Sequence, residues 1–144
     1  MKRQVYTTTI LILFVVLIGV TRADAQTRLT ANIPFDFNVG GKNLPAGHYS
    51  VSFINTSSDK RVLQLVRSEG GAAILILTTD VVGKPDETAK LAFNRYGNQY
   101  FFAQVWLPAD GIGMQAPKSE EEKRIARQWI PLRLSRETVA LMRR

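Results

Sequence analysis

The sequence predicts a mainly β chain, an antiparallel β-sandwich or small barrel of roughly six to seven strands with one C-terminal α-helix. Three observations predict it. From Leu29 to Val39 apolar and polar residues alternate without a break. Short apolar runs then follow one another, separated by turns rich in Gly, Pro and Asn. Near Ser119 this pattern gives way to a charged segment that opens with a helix-capping signature.

The first stretch, Arg28 to Val51, is a hairpin signal. Leu29, Ala31, Ile33, Phe35, Phe37 and Val39 occupy odd positions, and Arg28, Thr30, Asn32, Pro34, Asp36 and Asn38 occupy even ones. Successive strand side chains point to opposite faces, so one face is apolar and the other polar. Pro34 lacks an N–H for a ladder and belongs at an edge, at a bulge or facing out. Gly40-Gly41 and Leu44-Pro45-Ala46-Gly47 supply turn chemistry. Alternation resumes with Tyr49, Val51 and Phe53 against His48, Ser50 and Ser52.

Asn55 to Lys60 reads as a polar turn, Arg61 to Arg67 as a strand with Leu63 and Leu65 inward, and Ser68 to Gly71 as the next turn. Ala72 to Val82 is apolar without alternation over Ile74–Leu77, which predicts a central strand buried on both sides or covered by another element. Gly83 to Glu87 is a loop. The runs Ala89–Tyr96 and Gln99–Leu107 flank Gly97-Asn98 and predict a tight hairpin. Pairing Tyr96 with Gln99 sets Arg95 against Tyr100, Phe93 against Phe102 and Leu91 against Gln104, with Trp106 continuing the Phe102 face. Pro108 to Lys118 reads as a loop.

Ser119 with Glu122 three residues on matches a capping box, and Glu120, Glu121 and Glu122 suit the positive end of a helix dipole. The helix is expected over about residues 119–130, with Ile125, Ala126 and Trp129 on one face, and Pro131 ends it. Thr138 to Met142 reads as a final strand.

The N-terminus carries Lys2 and Arg3, an apolar run from Ile10 to Val20, and then Ala23-Asp24-Ala25 before Gln26. Basic, apolar and small-residue segments in this order predict a bacterial secretory signal peptide over residues 1–25, cleaved between Ala25 and Gln26. The apolar run is short of the roughly 20 residues a spanning helix needs, so no stable membrane span is expected after cleavage. Residues 26–144 then form a single β-rich domain in the periplasm or outside the cell. The chain has no cysteine, so disulfides, thiol redox chemistry and thiolate metal sites are excluded.

Cleavage would lower the formal charge from +7 to +5. Residues 118–144 hold 8 basic and 4 acidic side chains, whereas 26–117 hold 8 and 7, so the body is nearly neutral and the end is basic. That excess suits solvation or an anionic envelope component or glycan; nothing points to nucleic acid.

Few chemistries fit the residues. His48 is the sole histidine and lies on the polar face, which leaves no His-rich metal site. The sequence contains no G-x-S-x-G. Gly40-Gly41-Lys42 lacks the first Gly and the Ser or Thr of a phosphate loop. Asp80, Asp86 and Glu87 are the nearest approach to paired acid–base carboxylates. No catalytic residue, metal or cofactor is expected. The aromatic ribbon of Tyr96, Tyr100, Phe101, Phe102 and Trp106 supplies either core or a ligand platform, and Tyr100, Phe101 and Trp106 are the binding candidates.

Ile33-Pro34-Phe35-Asp36-Phe37 with Val39-Gly40-Gly41-Lys42, Leu44-Pro45-Ala46-Gly47-x-Tyr49, Phe93-x-Arg95-Tyr96-Gly97 and Lys118-Ser119 together resemble a family of small exported β-rich proteins of soil bacteria. The resemblance covers most of residues 26–144 and implies an exported β-domain; the family has no assigned activity, so it transfers no catalytic residue. The basic, apolar link Pro131 to Ser135 departs from its pattern. The function expected is that of a non-catalytic binding or structural domain. The alternatives are a small-barrel carrier of an apolar ligand and a carbohydrate-active hydrolase.

Overall fold

In the computed structural model, residues 29–55, 61–84, 87–108, 111–128 and 135–143 are described. The expected signal peptide with its Ala25–Gln26 junction, Asp86 and Trp129 lie outside these residues. The described residues are mainly β with one helix, as the sequence predicts. Hydrogen bonding links strands β1 (Leu29–Ile33), β2 (Phe37–Val39), β3 (Lys42–Leu44), β4 (Gly47–Asn55), β5 (Arg61–Arg67), β6 (Ile74–Val82), β7 (Lys90–Tyr96), β8 (Gln99–Trp106), β9 (Ile112–Gln115), β10 (Ser135–Ala140) and β11 (Met142–Arg143). Their order is β10-β7-β8-β9-β6-β5-β4-β1-β11, with β2 and β3 joined to β8.

This path is not closed into a barrel. It folds over so that the inner faces of its two halves meet in one core. β6 makes one corner: Ile74–Thr78 pairs with β5, and Thr79–Val82 pairs with β9. The last strand makes the other, since β10 pairs with β7 and β11 with β1 on either side of Leu141. Strands that change partners at a bend are how two sheets share corners.

Four expectations are corrected. The described residues form eleven strands rather than six to seven, because short pieces such as β3 and β9 fall in segments rich in Gly and Pro that read as turns or loops. The sheet is mixed, since β2 runs parallel to β8 through Asn38 and Phe101. The opening alternation is two strands: β1 pairs with β4, the chain turns at Pro34-Phe35-Asp36, and β2 crosses to the other half. Finally, the outward side chains of β6 are uncovered by the described residues, with Leu75 60% and Leu77 61% exposed.

The turns follow their residues. Val39 pairs with Lys42 around Gly40 (φ 58°) and Gly41 (φ 83°), two successive positive φ values that a two-residue hairpin of the primed type demands. The Asp36 carboxylate accepts the Ala46 N–H at 2.8 Å, and the Tyr49 hydroxyl donates to the Pro45 carbonyl at 2.6 Å, which ties the two bends together. Between the halves the core holds Ile33, Val51, Leu63, Leu65, Leu91, Phe93, Val105 and Met114, all fully buried. Phe37 touches Tyr49 and Phe93 edge-on, bridging both halves.

Candidate functional site

The candidate face is set up by one extra residue. From the turn inward, Tyr96 pairs with Gln99, Arg95 with Tyr100 and Phe93 with Phe102, the register expected from the sequence. The ladder then slips: Ala92 pairs with Gln104 and Leu91 with Val105, leaving Ala103 as a bulge. A bulge shifts every later side chain to the opposite face. Val105 therefore enters the core with Phe102, while Gln104 and Trp106 turn outward. The expected Leu91–Gln104 pair and the placement of Trp106 on the Phe102 face are corrected accordingly.

One helix, α1 (Glu120–Gln128), covers part of that outward face. Ser119 caps it: its Oγ accepts the Glu122 N–H at 3.1 Å, and its carbonyl accepts the Lys123 N–H at 2.9 Å. Ile125 packs with Tyr96 and Phe101 in a small second core. The Glu122 carboxylate, only 2% exposed, accepts from Asn94 Nδ2 at 2.8 Å and from the Tyr96 hydroxyl at 3.3 Å. It anchors the helix to β7 instead of reaching back to the cap.

Beside α1 lies a recess of about 100 Å³ lined by the side chains of Asn94, Gln104, Gln115, Lys118, Glu122 and Arg136 over the small residues Ala103 and Ala116. Strand pairing assembles it from distant sequence: Arg136 stands opposite Asn94, and Gln104 opposite Gln115. Gln104 is the hub. Its Nε2 donates to Gln115 Oε1 at 2.9 Å, and its Oε1 accepts from Trp106 Nε1 and from Arg136, each at 3.2 Å. Asn94, 5% exposed, spends its amide nitrogen on Glu122, and its Oδ1 is buried with no hydrogen-bond partner among the described residues. Glu122 also fixes that orientation, because turning the amide would set its oxygen against a carboxylate oxygen.

Trp106 completes the face. A Cβ on Gly113 would lie within 2.7–2.9 Å of the indole ring atoms, and one on Gly83 within 2.2 Å, so the ring rests on a floor that only glycine permits. Part of the indole remains exposed beside Gln104.

Of the aromatic candidates, only Trp106 adjoins the recess. Phe101 is 3% exposed beneath α1 and presents no face to a ligand. Tyr100 is half-buried against the core, stacked on Phe35 at 3.9 Å with the Arg95 guanidinium 5.4 Å from its ring centre. His48, Asp80 and Glu87 are exposed, and Gly40-Gly41-Lys42 forms the β2–β3 turn. Among the described residues no group of three or more His, Asp or Glu side chains could hold a metal, and no helix is long and apolar enough to cross a membrane. No family model, curated protein or solved structure matches the chain.

The helix anchor has a pH signature. Burial first, and then the adjoining Glu122 carboxylate, pushes the Tyr96 hydroxyl from 10.0 up to about 12. A group whose folded pKa is raised stabilises fully below its unfolded value and loses that contribution as pH climbs through the folded one. Stability should therefore decline between pH 10 and about 12. Tyr96→Phe should flatten that limb in thermal melts without removing it, because burial raises Tyr49 as well. An unchanged limb in the variant would show that Tyr96 is not its source.

Proposed function

We propose that this chain is an exported, non-catalytic β-domain that binds a glycan through the recess and Trp106. The observation that carries the reading is the juxtaposition on one outward face of an indole with the amide side chains of Gln104 and Gln115 and the buried, unpartnered Oδ1 of Asn94. Sugars present C–H faces that pack on aromatic rings and hydroxyls that both donate and accept, so an array mixing a ring with amides matches both demands. Export rests on the N-terminal order of basic, apolar and small residues.

Most rings of the hairpin that suggested a carrier of apolar ligands are spent on packing: Phe102 meets Phe93 in the core, Tyr100 stacks on Phe35, and Tyr96 and Phe101 pack with Ile125. The glycan reading is therefore preferred.

Calorimetric titration of the chain, expressed with its own N-terminus, against short oligosaccharides should give saturable binding that weakens at least tenfold in Trp106→Ala and measurably in Gln115→Ala. The second variant alters an exposed side chain and preserves the fold. A panel of neutral and acidic oligosaccharides without binding would sink the reading, as would sugar turnover abolished by a single substitution.

A further inference from the structure

We infer that the ligand is acidic: a uronic-acid-type sugar whose carboxylate is held between Arg136 and Lys118 while a neighbouring hydroxyl donates to Asn94 Oδ1. This rests on the glycan reading and adds the class of sugar. Three observations converge on it. The recess is lined by two cations against one carboxylate. Glu122 has its Oε1 engaged by Asn94 and Tyr96. Lys118 has no ion-pair or hydrogen-bond partner among the described residues, and Arg136 spends one N–H on Gln104, leaving most of its donor fork open.

A guanidinium offers five donors in a planar fork that matches a carboxylate in two parallel bonds, and an ammonium adds a point charge. Arg136 and Asn94 face each other across the β7–β10 ladder, which places an anion site and a lone acceptor on neighbouring strands. A buried acceptor left unpaired carries a cost that a ligand hydroxyl would relieve. The ligand must then bear a carboxylate with a donor close by, and a uronate carries both on one ring. A recess of about 100 Å³ admits that end of a sugar and leaves the rest of the chain outside, toward Trp106.

The test compares trimers of galacturonate, glucuronate and mannuronate with their carboxyl-reduced counterparts, by calorimetry at low and at high salt. At least one uronate trimer should bind ten times or more tightly than its reduced form, and the preference should shrink as salt rises. Arg136→Gln with Lys118→Gln should abolish the preference, so that the acid and reduced forms of each trimer bind the variant equally. Both side chains are exposed, so matching melting temperatures will confirm that the double variant is folded. Equal binding of acid and reduced forms overturns the inference while the glycan reading stands. Binding of neither overturns both. A preference that survives in the double variant places the carboxylate elsewhere and also overturns it.

Discussion

Phe93→Ala should lower stability by about 3–5 kcal/mol in urea unfolding, with little change in the slope of the transition. Phe93 is fully buried, and its ring is met edge-on by Phe35 at 5.2 Å, Phe37 at 5.4 Å and Phe102 at 5.8 Å. Truncation removes the transfer free energy of the ring, leaves a void that three other rings cannot all fill, and forfeits edge-to-face contacts. Phe35 sits at the turn between β1 and β2 and also stacks on Tyr100, so its loosening would reach the crossing between the sheet halves. A domain typically has only about 5–15 kcal/mol in total, so the variant should be near its limit at room temperature. A loss under about 1.5 kcal/mol would mean that this cluster is not the centre of the core.

How far the sequence specifies this fold legibly follows from the range of the interactions involved. Alternation from Leu29 to Val39 reports burial correctly for Leu29, Ala31, Ile33, Phe37 and Val39, because strand faces are a local property. It says nothing about which partner each half takes, so the crossing at Pro34 passes unseen. The Gly97-Asn98 turn fixes the register only as far as Phe93–Phe102; the slip at Ala103 comes from burying both Phe102 and Val105, three residues apart. Strict alternation would set Val105 on the Phe101 face, so the three-residue spacing of these two core residues is the signal of the slip. The apolar run in β6 suggested two buried faces, yet Leu75 and Leu77 are exposed, because coverage depends on elements elsewhere in the chain.

The recess was less legible still. Asn94, Gln104, Gln115 and Arg136 belong to four strands, and only pairing brings them together. Each alone is an ordinary polar strand residue. The aromaticity of Trp106 makes it a binding candidate, but its position on the outward face and its glycine floor depend on the bulge. Glu122 read as half of a capping box. Its backbone N–H does take part in the cap, while its carboxylate is drawn under the helix by two donors on β7.

That carboxylate should govern whether α1 stays docked, and Glu122→Ala is expected to cost about 2–4 kcal/mol. Two effects oppose each other. Removing a buried charge relieves its desolvation, which alone would favour the variant. Against this, Asn94 Nδ2 and the Tyr96 hydroxyl lose their acceptor at buried positions, and Asn94 would be left without a partner at either end of its amide. Each stranded polar group costs about 1–3 kcal/mol, and the missing side chain leaves a void beneath the helix, so loss should win. Glu122→Gln keeps one acceptor oxygen and should cost less. It should also flatten the alkaline decline, because the carboxylate's charge and its hydrogen bond help hold the Tyr96 hydroxyl above its ordinary value. The decisive measurement is a double-mutant cycle: Glu122→Leu with Asn94→Leu removes donor and acceptor together, so its cost should fall below the sum of the singles by more than about 1 kcal/mol. Additive losses would show that the two residues act separately, leaving the Tyr96 hydroxyl and the Ile125, Tyr96 and Phe101 contacts to hold the helix.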